Sequence, residues 1–328
     1  MSDLLNTQAI PKVELHLHLD CSLSFRSVSA LISDMTFERY RAEYLAPPKC
    51  RDLVDYLGFL AAPQALLQNV RALKIATLDL FRQLEEDGVV YAEIRFAPHL
   101  HLAAGLKPQD VVEAVLEGRS EAQRQYSVES RIILCTLRHF DTAMGLEVVK
   151  LAKIYQAQGV GGIDLAGDEA NYSLDAHIPV FRKARELGIH ATAHAGEALG
   201  AESVREVVEK LGVRRIGHGV RSIESRAVID ILNERDVHLE VCPSCNIQID
   251  VFDRYEDHPI DRLARQGLSV GVNTDARGPT DLTLSNEYER LREKFGWTPA
   301  AFQKANTNAL AAAFIDATDR DRIMLRLV

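Results

Sequence analysis

The sequence predicts an α/β fold: a (β/α)8 TIM barrel with a helical insertion after its first strand. Three observations carry that expectation. Eight short apolar runs recur along the chain. Amphipathic segments at helical spacing separate them, which implies parallel strand pairing. The turn after the first run, "DCSLS", has none of the glycines that an open doubly wound sheet would place there to cradle a phosphate. The 328 residues with 47% hydrophobic content suffice for one large core, and single barrels commonly exceed about 200 residues. Residues 1–328 therefore read as one domain.

Taken in order, the first run is "KVELHLHL" (12–19). Its strict alternation is a strand signature, and alternate side chains of a strand share a face, so His16, His18 and Asp20 are expected to point the same way. Residues 22–88 are too long for one crossover and read as several inserted helices. In a barrel the loops after the strands form the active face, so this insertion is expected to act as a lid, with "DLVDYLGFLAAPQALL" (52–67) as an apolar roof.

"VVYAEIRFA" (89–97) is strand 2, followed by a helical stripe of Val111, Val112, Val115 and Leu116. "SRIILCTLRH" (130–139) is strand 3, and the helix after it stops at Gly159. Strands 4 and 5 are "GVGGIDLAG" (159–167) and "HATAHAG" (190–196). A helix is expected to open on Ser203, with Glu206 completing a capping box. "RRIGHGV" (214–220) is strand 6, with a helix from Ser222 onward. "VHLEVCP" (237–243) and "LSVGVNTD" (268–275) are strands 7 and 8.

A net charge of -9 argues against a general nucleic-acid binder, whose footprint would be basic. No run approaches about 18 apolar residues, so no membrane span is expected. The first basic residue is Lys12 and no charged region precedes an apolar stretch, so no secretory signal is expected. Five cysteines scattered through a large chain are not a disulfide framework, and a reducing cytoplasm is the expected location. "CPSC" (242–245) is a lone CxxC without a second ligand pair nearby, and it is not read as a redox or structural metal motif.

Chemistry is concentrated at the strand ends. Strand 1 supplies His16, His18 and Asp20. Strand 5 supplies His194 and, after a short turn, Glu197. Strand 6 supplies His218 and strand 8 Asp275. In a barrel such residues converge on one point. Three strands ending in histidine and a fourth in aspartate read as a metal site, one that suits zinc and also iron, manganese or nickel. His16, His18, His194 and Asp275 make an N3O set with a position left for water, whose pKa a metal would lower toward ~7. His218 and Glu197 remain for proton transfer. His190 reads as structural and His139 as a pocket-lining candidate. His99, His101, His177, His238 and His258 are given no role.

"ELHLHLD", "VVYAEIRFAPHL", "GIDLAGDE", "HAGE", "IGHG" and "NTD" occur in this order from about residue 11 to 290. In this the chain resembles the adenosine deaminase family, within the metal-dependent amidohydrolase superfamily. The resemblance implies one zinc ion per chain and hydrolysis of a 6-aminopurine nucleoside to its 6-oxo product and ammonia. It implies that His16, His18, His194 and Asp275 ligate the zinc and that Glu197 protonates purine N1 as water adds to C6. His218 would take or orient the water's proton, with Asp275 also orienting the water. Gly167 would offer its backbone N–H to purine N3, and Asp20 would accept a hydrogen bond from the ribose 5′-hydroxyl.

Two positions depart from the family pattern. Ala276 stands where many members have a second aspartate that meets purine N7, and Arg277 follows it. Cys21 replaces the usual glycine after the aspartate at the ribose end. The expected substrate is adenosine or 2′-deoxyadenosine. Adenine, a 5′-modified adenosine, a pterin, or an ester or lactone for a related metal hydrolase remain open, and a non-catalytic nucleoside-binding barrel is the remaining alternative. The expected partner is a small molecule, with no nucleic acid and no membrane.

Overall fold

Each of the eight apolar runs forms a strand in the computed structural model, which describes residues 6–327. The strands are β1 (Lys12–His18), β2 (Val89–Phe96), β3 (Glu129–Leu137), β4 (Val160–Ala166), β5 (His190–Ala195), β6 (Arg215–His218), β7 (His238–Val241) and β8 (Ser269–Val272). They pair in parallel in sequence order, β1 to β8. Most of their residues are buried, as suits parallel strands covered on both sides.

The sheet closes through residues just beyond β8. Leu17 bridges Asp275 in parallel register. The His18 N–H donates to the Asp275 carbonyl at 2.7 Å, and the Asp275 N–H to the His16 carbonyl at 3.0 Å. Asn273 seals the same seam: its side-chain oxygen accepts from the Leu15 and His16 N–H groups at 2.8 and 3.0 Å. The barrel's edges are thereby satisfied, and β1 is fixed in register beside the residue that ends the last run.

The insertion after β1 contains five helices: α1 (Phe25–Leu31), α2 (Phe37–Tyr44), α3 (Leu53–Gly58), α4 (Ala61–Leu66) and α5 (Val70–Glu86). Ser24, Thr36, Asp52 and Asn69 each accept a backbone N–H and start α1, α2, α3 and α5. Two helix starts differ from the sequence reading. The helix after β5 begins at Ala201 with Gly200 as its cap, so Ser203 lies inside it and its hydroxyl bonds Glu169 instead. The helix after β6 begins at Arg226, capped by Ser225, because Val220–Glu224 form a separate 3-10 turn. Among the described residues, no helix is long and apolar enough to cross a membrane.

Inside the barrel, charged side chains form a buried layer. Arg95 pairs with Asp164 (2.9 Å) and Glu240 (2.6 Å), while Arg215 pairs with Glu240 (2.6 Å) and Glu93 (2.6 Å). All five are nearly or fully inaccessible. Charges this deep are tolerated because each is paired. The layer lies directly beneath the strand ends that carry the histidines, through the contacts described next.

Candidate active site

The ends of β1 and β5, with the residue that closes the seam, bring four side chains together. His16 Nε2 lies 3.2 Å from Asp275 Oδ1. His18 Nε2 lies 3.4 Å from the same oxygen and 3.3 Å from His194 Nε2. Donors bound to one ion in a tetrahedron by bonds of ~2.0–2.1 Å would stand ~3.3–3.4 Å apart, so the four residues fit a metal. His16 Nε2 is buried without a well-formed hydrogen bond, as befits a ring nitrogen aimed at a ligand.

Neighbouring groups fix which atoms face inward. His16 Nδ1 meets Glu240 at 2.9 Å, and His194 Nδ1 meets Asp164 at 3.1 Å. Each carboxylate holds the ring proton on Nδ1 and leaves the Nε2 lone pair toward the cluster. Arg95 ties both carboxylates together. Cys245 Sγ donates to Asp275 Oδ2 at 2.9 Å, which turns Oδ1 to the histidines. Burial alone would raise the Asp275 carboxyl, but the adjacent His16, His18 and His218 rings outweigh it and hold it well below the usual range. Burial pushes His18 down to about 3. Asp275 and His18 are thereby favoured as carboxylate and neutral imidazole, the forms that bind metal, whereas at His16 the Asp275 and Glu240 carboxylates outweigh burial and push the ring upward.

Glu197 and His218 form a second pair, Oε1 to Nδ1 at 3.2 Å. Burial pushes the Glu197 carboxyl well above its ordinary range, and the charges of Asp275 and Glu169 add to the effect. Burial likewise pushes His218 well below its ordinary value. The turn carrying Glu197 is clamped by Glu169, whose carboxylate accepts the backbone N–H groups of Gly196 (2.7 Å), Glu197 (3.1 Å), Ala198 (2.7 Å) and Leu199 (3.1 Å). His218 and Asp275 both adopt left-handed backbone angles, φ 63° and 65°. Such angles are costly for residues other than glycine and persist where the surroundings hold a side chain in one direction.

Asp20 does not continue the strand. β1 ends at His18, and Leu19–Cys21 form a 3-10 turn. Asp20 nevertheless remains beside the cluster, with Oδ1 4.0 Å from His18 Nδ1 and Oδ2 3.6 Å from the buried His101. Gly167 lies apart from these contacts, at the end of β4. Its φ of +92° demands glycine, whereas a Cβ built there meets nothing closer than 3.6 Å. The need is thus for backbone angle, not for room against the protein.

The departures from the family pattern are both inward-facing. Cys21 and Ala276 pack with Tyr56 of α3 and Cys245 in one buried apolar cluster, and the Tyr56 hydroxyl is buried without a partner. Arg277 is buried and pairs with Glu14 (2.7 Å) and Asp87 (2.9 Å), a structural role. His190 is exposed at the start of β5 and stacks on Phe314, and His139 is exposed against Phe140. His139 thus stands on the surface and not among the clustered groups. Leu53 and Val54 of α3 line, with Glu197 and Arg221, a cavity of about 430 Å³, a volume suited to a small molecule.

Several participants went unassigned in the sequence reading: Glu240, Asp164, Arg95, Glu169, Asn246, His258, His101 and Cys245. For Arg95, Asp164 and Glu240 a signal existed, since each is a charge within an otherwise apolar strand run. For the others, only folding reveals the neighbour.

The adenosine deaminase family profile matches residues 11–328. The adenosine deaminase of Clostridium perfringens is 32% identical over 331 residues, covering 99% of this chain and all of that protein. That of Haemophilus ducreyi is 35% identical, covering 96% and 95%. Among solved structures, an adenine deaminase from Arthrobacter aurescens superposes with a TM-score of 0.89 at 25% identity, over 97% of this chain and 98% of that one. A zinc-bound amidohydrolase from Burkholderia ambifaria shares the fold, with a TM-score of 0.89 at 24% identity over 98% and 90%. A barrel closed over three histidines and an aspartate, beside a buried acid paired with a fourth histidine, thus agrees with full-length sequence similarity, and the chain belongs to the adenosine deaminase family of metal-dependent hydrolytic deaminases.

Proposed function

We propose that the protein deaminates adenosine and 2′-deoxyadenosine hydrolytically, with one zinc ion held by His16, His18, His194 and Asp275. The observation that carries this reading is Glu197: a buried carboxyl, pushed well above its ordinary range, that meets His218 at 3.2 Å and stands next to a ready metal-ligand set. An ester or lactone hydrolase would not need Glu197 as an acid for a ring nitrogen. The curated relatives at 32–35% identity are adenosine deaminases, and a fold neighbour carries zinc. The N3O donor set without thiolate agrees with catalytic zinc.

The bound ion supplies Lewis-acid activation of water at neutral pH. The protein's own groups do the rest. Glu197 donates its proton to purine N1, which makes C6 electrophilic without building an anion on the ring. His218 and Asp275 hold and orient the attacking water. The Gly167 N–H binds N3, and Asp20 accepts from the ribose 5′-hydroxyl. The whole chain acts as one domain, and α1–α5 form its lid, with Leu53 and Val54 of α3 lining a cavity that Glu197 also faces. Five free, buried cysteines support a reducing cytoplasmic setting.

Free adenine is the second reading. The Arthrobacter neighbour is an adenine deaminase, and Cys21 adds volume beside Asp20 at the ribose end. The test is a deamination screen of zinc-loaded protein against adenosine, 2′-deoxyadenosine, 5′-modified adenosines, adenine and aminopterins, following ammonia release and the ultraviolet change. Turnover led by adenosine is expected. Turnover confined to adenine would replace the first reading with the second.

A further inference from the structure

Asn246 occupies the centre of the acid–histidine pair. It is fully buried in the helix Pro243–Gln248 that follows β7. Its Nδ2 lies 3.1 Å from Glu197 Oε1 and 3.1 Å from His218 Nδ1. On its other side, its Oδ1 lies 3.2 Å from His258 Nε2, and His258 Nδ1 accepts the backbone N–H of Ile260 at 3.3 Å.

The proton positions follow from these contacts in sequence. His258 is buried and neutral, since burial pushes its pKa down to about 3. A neutral imidazole carries one N–H, and its Nδ1 is already an acceptor, so the proton sits on Nε2. That N–H donates to Asn246 Oδ1. The amide cannot then flip, and its two hydrogens face Glu197 and His218. His218 Nδ1 must accept, which puts its ring proton on Nε2. Glu197 Oε1 must accept too, which leaves the acid proton on Oε2. Without the amide, Glu197 and His218 stand 3.2 Å apart and would share a proton directly, with neither tautomer fixed.

We propose that Asn246, locked by His258, is a positioning residue that fixes the tautomers of both proton-transfer groups. It sets His218 as an Nε2–H donor toward the reacting water and Glu197 as an Oε2–H acid toward the ring nitrogen. The inference rests on the roles given above to Glu197 and His218, but its first test does not depend on turnover.

That test is nitrogen NMR on zinc-loaded protein labelled with 15N-histidine, the His218 signals being assigned by their loss in His218→Ala. A protonated Nε2 and bare Nδ1 on His218 are expected. A protonated Nδ1 would overturn the proposal. The second test separates positioning from packing. Asparagine and aspartate have the same shape, but aspartate only accepts. Asn246→Asp is therefore expected to lower kcat by about 100-fold or more, beyond the ~10-fold loss of Asn246→Ala, with KM within about threefold and metal content unchanged. An aspartate variant as active as the alanine variant, or more so, would show that Asn246 merely fills space. His258→Leu is expected to cost about 10-fold in kcat, and His258→Gln, which keeps an N–H donor, to recover most of it. Equal losses in the two would break the link to His258. If the wild-type protein proves inactive on every aminopurine, the functional reading falls while the tautomer measurement still tests the relay.

Discussion

At Glu197, burial and two neighbouring carboxylates act in the same direction, and together they push its carboxyl well above the ordinary range. The sign of the pH dependence follows. The protonated form is the active one and its pKa is raised, so kcat is sustained below that pKa and lost as pH rises through it. A kcat profile is expected to show this alkaline limb, and the residual activity of Glu197→Gln is expected to lack it. The same substitution should lower kcat more than ~100-fold, the scale of a lost general acid, with metal content unchanged by elemental analysis. A near-normal rate would remove Glu197 from the mechanism.

Among the elements, β6 shows how a strand makes room for its neighbour. Gly217 sits where a Cβ would come 2.7 Å from His16 Cε1 and 3.1 Å from its Nδ1. The His16 ring cannot retreat, because Glu240 holds it. Gly217→Ala is therefore expected to displace the ring and weaken metal binding by about 10–100-fold, the range for disturbing a ligand's support, measured by competition with a chelator. Helix α3 gives the opposite case. Its Tyr56 hydroxyl is buried without a hydrogen bond, so Tyr56→Phe removes an unsatisfied group and should leave folding stability unchanged or slightly raised. A loss of more than ~1 kcal/mol in a urea titration would contradict that.

Across the whole molecule, the metal and the buried ion layer join distant parts of the chain. The four candidate ligands run from residue 16 to 275, so an ion among them bridges the first and last strands. Metal at ~1,000 times its Kd would add about 4 kcal/mol to stability. Chelation is expected to abolish activity and lower the thermal midpoint, and added zinc to restore both. Beneath the site, Arg95 neutralises Asp164 and Glu240 at once. Arg95→Met leaves both carboxylates short of their partner and is expected to cost about 3–5 kcal/mol, read by urea unfolding of the metal-free protein.

The barrel was legible in the chain because strand and helix periods are local properties, and eight alternations leave few arrangements. His16, His18, His194, Glu197, His218 and Asp275 were legible for a related reason: polar residues ending apolar runs stand out, and a barrel puts strand ends on one face. Asp20 was placed on the strand because alternation continued one residue past the point where the chain turns. Ser203 looked like a helix start because capping patterns recur by chance, and Glu169 claimed its hydroxyl from across the site. Ser222 looked like one because the apolar spacing runs on through the 3-10 turn Val220–Glu224.

The sequence by itself thus determined the repeat, the chemical inventory at the strand ends and the family. The tertiary structure decided which groups meet. Glu240 reaches His16 across 224 residues and Asp164 reaches His194 across 30. Asn246 bridges Glu197 and His218, and Cys245 turns Asp275, from a segment whose CxxC spacing suggested nothing of the kind. Periodicity reports which face a side chain lies on. Hydrogen-bond partners, tautomers and shifted proton affinities depend on separations of about 3 Å between atoms far apart in the chain, and only barrel closure sets those.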